Sequence, residues 1–134
     1  MKIKLLFLCS FFFMISFCER NDLPKDKFSL ENETYVYRYF KTEQHCLDSQ
    51  EPDFFINCHA ELRFLENGLA EIMLTDIIWR GEYTVFRKNI ILIFEESYEV
   101  PEGKLVFEIM NHSMIKKVDD KTIWVKMTGD SIWD

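Results

Sequence analysis

The chain has 134 residues, 48% of them hydrophobic and 16% aromatic, with 13 Phe against only four Gly and three Pro. So much apolar surface fills the core of one domain and excludes disorder for most of the chain, and the low Gly and Pro content excludes collagen-like or linker sequence. The net charge is −7, from 16 basic and 23 acidic residues, which argues against nucleic acid as a partner, since a phosphate-binding face needs clustered Lys and Arg.

Residues 1–18 form a segment of their own. Lys2 and Lys4 precede an uncharged run over residues 5–18, and charge returns at once with Glu19, Arg20 and Asp22. A basic start followed by a short apolar stretch reads as a secretory signal peptide. A membrane-spanning helix needs about 20 apolar residues, and this run stops short. It ends in Ile15-Ser16-Phe17-Cys18, which resembles the bacterial lipobox, a four-residue motif whose Cys is exposed by cleavage and acylated. Ile15 and Ser16 match their positions, and Phe17 stands where that family has a small residue. The resemblance implies lipidation at Cys18. The exported protein would then be held at the bacterial cell envelope, on the outer membrane or a periplasmic face, with a membrane as its first partner. The alternative is ordinary cleavage that removes Cys18 or leaves it free. Without residues 1–18 the chain keeps 14 basic and 23 acidic residues, a net −9, which disfavours anionic lipid head groups as a direct partner.

Residues 19–31 are polar and read as a tether, leaving 32–134 as the folded domain. In 34–40 aromatic and β-branched residues alternate, with Tyr35, Tyr37 and Tyr39 on one face and Val36, Arg38 and Phe40 on the other. That pattern suits a strand. Residues 41–57 show no period and read as a long loop. Cys46 and Cys58 bracket it in a mirrored setting, His45-Cys46 and Cys58-His59. Two chemistries fit: a disulfide, or a zinc site of two thiolates and two imidazoles. Export to an oxidising compartment favours the bridge, and adjacent side chains diverge on an extended chain. No metal and no cofactor are therefore expected.

Residues 59–74 read as a hairpin around Glu66-Asn67-Gly68. A type I turn followed by a left-handed Gly68 pairs Phe64 with Ala70, Leu62 with Ile72 and Ala60 with Leu74, all on one inner face, and Arg63 with Glu71 outside. A register one residue away mixes the faces. A second hairpin spans 81–94 around Arg87-Lys88-Asn89. An odd register puts Tyr83 and Val85 on the inner face with Ile90, Leu92 and Phe94, leaving Phe86, Ile91 and Ile93 outside. Such an apolar outer face calls first for cover by another part of the chain, and failing that for a partner. Residues 105–110 alternate as a further strand, and 113–118 with 122–127 flank Asp119-Asp120-Lys121 as a last hairpin whose register stays open.

The result is an all-β chain: an antiparallel meander of seven or eight strands forming a small barrel or half-barrel. Residues 60–94, with Gly81-x-Tyr83-x-Val85 and Ile90-x-Leu92, together with Trp124-x-Lys126 near the end, resemble the small lipocalin-like domains of bacterial exported proteins. The Gly-x-Trp found near the start of true lipocalins is missing. The resemblance implies an up-and-down meander closing on itself, in some members around a small apolar ligand.

No nucleophile elbow, phosphate-binding glycine loop or His-Glu-x-x-His motif occurs, and no enzymatic activity is expected. The reading is a non-enzymatic envelope lipoprotein, a small binding module for a hydrophobic ligand. The alternative is a protein-interaction lipoprotein: an adhesin, an assembly subunit or an inhibitor of a host enzyme.

Overall fold

A computed structural model describes residues 29–134. The apolar leader, Cys18 and most of the tether lie outside the described residues. Eight strands follow in chain order: β1 (Thr34–Arg38), β2 (His59–Phe64), β3 (Leu69–Met73), β4 (Ile78–Phe86), β5 (Asn89–Phe94), β6 (Lys104–Asn111), β7 (Met114–Lys117) and β8 (Ile123–Lys126). Each pairs antiparallel with the next, and β1 pairs with β8 through Tyr35–Lys126 and Val36–Val125, closing the barrel. Closure leaves no free sheet edge, the usual liability of a small β domain.

The predicted registers of both early hairpins hold. Phe64 pairs with Ala70, Leu62 with Ile72 and Arg63 with Glu71. Outside, the Arg63 guanidinium lies 3.6 Å from the Glu71 carboxylate. Gly68 has φ +74°, but Asn67 is also left-handed at φ 60°, ψ 29°. The turn is therefore not a type I turn followed by a single left-handed Gly. Asn reaches this region more readily than most residues, so two consecutive left-handed residues fit. In the second hairpin Gly81 pairs with Phe94, Tyr83 with Leu92 and Val85 with Ile90, the odd register. Phe86 pairs with Asn89, so the loop is only Arg87-Lys88, with Arg87 at φ 56°.

Inward side chains form one core. Ala60, Leu62, Phe64, Ala70, Ile72 and Leu92 are buried, as predicted from their alternation. Tyr83 is half-buried against them. Two expectations need correction. β3 ends at Met73, so Leu74 leaves the strand and only half-buries against the core. Val85 lies on the predicted face opposite Ile90 but is 45% exposed, because β4 runs on past its last pairing with β3 at Glu82 and leaves Val85 without a strand on that side. A third correction concerns Leu30, which is 4% exposed within the core. The polar tether therefore ends before it, and residue 30 belongs to the folded domain.

The middle of the barrel is filled by rings. Tyr35 meets Phe64 edge-on at 5.9 Å, Phe64 meets Tyr83 at 4.9 Å and Phe107 meets Trp124 at 5.3 Å. Eight strands enclose a space just wide enough for such filling, and edge-to-face contacts add to the area buried. Residues 41–57 are not wholly irregular. They contain the six-residue helix α1 (Glu43–Asp48), where the Thr42 hydroxyl caps the start by accepting from the His45 N–H at 3.1 Å. A six-residue helix is too short for its periodicity to be seen in a sequence.

Candidate functional site

The four connections β1–β2, β3–β4, β5–β6 and β7–β8 lie at one end of the barrel. The longest of them, β1–β2, is closed by a disulfide between Cys46 and Cys58, with their Cα atoms 5.7 Å apart. That settles the two readings of the cysteines in favour of the bridge. His45 packs edge-on against Phe40 at 5.3 Å, and His59 faces Glu61 at 3.6 Å, so neither imidazole joins the sulfurs. Among the described residues, no group of three or more His, Cys, Asp and Glu side chains could hold a metal ion.

Gln50 braces the stapled loop from inside. Its side-chain amide donates to the Cys46 carbonyl at 3.1 Å and the Ile56 carbonyl at 2.9 Å, while its oxygen accepts from the Ile56 N–H at 2.9 Å. The loop is also tied to β3–β4: the Tyr39 hydroxyl donates to the Leu74 carbonyl at 2.7 Å, and the Asn57 amide donates to the Thr75 carbonyl. The Glu99 carboxylate then joins β3–β4 to β5–β6 by accepting from the Thr75 hydroxyl and the Trp79 indole N–H.

Held in this way, the three connections enclose an open cleft of about 640 Å3 whose walls include Tyr39, Phe40, Phe54, Phe55, Leu74 and Tyr98. Phe54 is 65% exposed, Phe55 74% and Tyr98 72%. Tyr98 stands edge-on to Trp79 at 6.2 Å. Burial, the neighbouring Tyr37 and the carboxylates of Glu99 and Asp120 push the Tyr39 hydroxyl above the ordinary tyrosine range, with Lys117 opposing. Scattered exposed apolar residues need no explanation, but aromatics gathered around one cleft on braced loops do.

Sequence reasoning missed this cleft. Apart from the exposed Val85, the predicted inner-face residues build the core or pack against it, and none but Leu74 reaches the cleft. A signal was present: Phe54-Phe55 follows Pro52-Asp53 inside the cysteine loop, and Tyr98 interrupts a run of glutamates. Aromatics in acidic connections do not serve the period-two pattern. The apolar outer face behaves differently from expectation. Phe86 and Ile93 stay exposed, and among the described residues no strand or loop covers them. No protein-family profile, curated protein or solved structure matches the chain.

Proposed function

We propose that this protein is a non-enzymatic binding module of the bacterial cell envelope, tethered by lipid on Cys18, that works through protein–protein contact at the aromatic mouth of its barrel. The observation that carries this reading is the contrast between the two places open to a ligand. The barrel interior, where a lipocalin-like protein would hold a small molecule, is packed with Phe64, Phe107 and Trp124 and gives that reading no support. The mouth presents Phe54, Phe55 and Tyr98 outward on cross-tied loops. Rigid aromatic side chains that are exposed before binding are the residues that dominate protein interfaces, whereas a small-molecule site encloses most of its ligand.

A photo-reactive phenylalanine analogue at position 55, compared with one at position 86, tests the reading in envelope-bound protein. A discrete protein adduct is expected from position 55 and not from position 86. A stoichiometric small molecule retained by the purified chain, with no adduct at position 55, would overturn it.

A further inference from the structure

The aromatic cleft sits in a one-sided electrostatic field. The four connections around it carry eleven carboxylates: four in residues 39–58, one in 74–77, four in 95–103 and two in 118–122. Against them stand Lys41 and Lys121 within the connections, and Arg38 and Lys104 at the strand ends that border them, Arg38 being engaged by the Asp134 carbonyl and the Trp133 ring. Lys117, at the edge of β7 below, is already held by Asp120 at 2.8 Å and Asp119 at 3.2 Å. The three turns at the opposite end, Glu66-Asn67-Gly68, Arg87-Lys88 and His112-Ser113, carry one carboxylate against two cations. Glu31 and Glu33, before β1, also lie at that opposite end, Glu33 paired with Lys126 at 2.8 Å, so the excess of negative charge gathers at the end where Phe54, Phe55 and Tyr98 are exposed.

We infer that the occupant of this cleft is a basic protein segment, one that seats apolar and arginine side chains against Phe54, Phe55 and Tyr98 with the surrounding carboxylates as counter-charges. The inference rests on the reading of the mouth as a protein-binding site and names the partner's chemistry. Charge complementarity selects it. A guanidinium over an aromatic face gains from the ring quadrupole, and carboxylates nearby add charge-assisted hydrogen bonds. The same field repels acidic proteins and anionic lipid surfaces, so it discriminates between partners as well as attracting one. Glu95, Glu96 and Glu102 are exposed on the β5–β6 connection, which extends the field beyond the cleft itself.

Three synthetic 12-residue peptides test it, each with the same Leu and Trp residues and with Arg, Gln or Glu as spacers. Their affinities are measured for the full chain, for the double variant Phe54→Ala/Phe55→Ala and for the triple variant Glu95→Gln/Glu96→Gln/Glu102→Gln. The arginine peptide is expected to bind about tenfold more tightly than the glutamine peptide at low salt, with the gap closing near 0.5 M salt as exposed charges are screened. The triple variant should narrow that gap, and the double variant should lose binding while melting like the parent, since both side chains point into solvent. Equal binding of the arginine and glutamine peptides, both lost in the double variant, would overturn the basic partner and leave the mouth standing. Undiminished binding of the arginine peptide to the double variant would overturn the mouth reading itself. Failure of all three peptides to bind would overturn the inference.

Discussion

Gly81 offers the sharpest test of the barrel's geometry. It pairs with Phe94 across β4 and β5, and a Cβ placed on it would lie 2.2 Å from the Ile93 carbonyl oxygen, 3.0 Å from that carbonyl carbon and 2.6 Å from Phe94 Cδ1. The ring can turn away, but the carbonyl cannot move without parting the two strands. Overpacking of this kind costs about 1–3 kcal/mol, and an obstacle in the backbone belongs at the upper end. Alanine also stiffens the unfolded chain, which returns about 0.4–1 kcal/mol. Gly81→Ala is therefore expected to lose about 2 kcal/mol in chemical denaturation, or roughly 10 °C in Tm for a domain of this size. Adding Phe94→Ala should not restore stability, because the carbonyl contact remains. Gly68 provides the contrast. Its would-be Cβ meets nothing nearer than the Tyr83 carbonyl oxygen at 3.5 Å, so only its φ of +74° resists substitution. Gly68→Asn should cost least, Gly68→Ala about 1 kcal/mol and Gly68→Val more, because β-branched residues tolerate positive φ worst. If Gly81→Ala melts with the parent, or if Val and Asn at position 68 are equally harmless, the registers of the two hairpins are wrong.

Three further outcomes are expected. Thiol titration should find neither Cys46 nor Cys58 free until the domain is denatured and reduced, and a Cys46→Ala/Cys58→Ala variant should lose about 3 kcal/mol in the chain-entropy account of a loop this size; a free thiol in the native protein would contradict the bridge. Burial, with the Glu33 charge second, raises the Tyr35 hydroxyl from 10.0 to about 12. Its neutral form is therefore favoured by folding, and the stability it contributes is complete below pH 10 and lost as the pH climbs from 10 towards 12; Tyr35→Phe should flatten that alkaline fall, and an unchanged profile would refute the assignment. Detergent phase partitioning of the exported protein against Cys18→Ser should move the variant into the aqueous phase, and equal partitioning of the two would sink the lipid anchor.

The period-two alternation of residues 60–64, 70–74 and 90–94 was enough to choose the inner face and the register of two hairpins. In a strand, facing and spacing are one property: a slip of a single residue puts Arg63 or Glu71 into the core. The cysteine pair was likewise legible, because compartment and spacing bear on it before any fold is known. Closure of the sheet was expected from the meander and the resemblance, as a barrel or half-barrel, but the residues that close it were not legible. The contact of Tyr35 with Lys126 and of Val36 with Val125 joins the first strand to the last, and no local pattern encodes it. For the same reason the sequence placed Val85 inside and Leu30 in a tether. Alternation reports the face of a strand but not how far the packed layer extends along the barrel, which the neighbouring strands decide. The aromatic mouth depended on tertiary structure most of all. Phe54, Phe55 and Tyr98 lie in connections without periodicity, and they become one surface only because the barrel brings three loops to the same end and Gln50, Asn57 and Glu99 bind those loops in place.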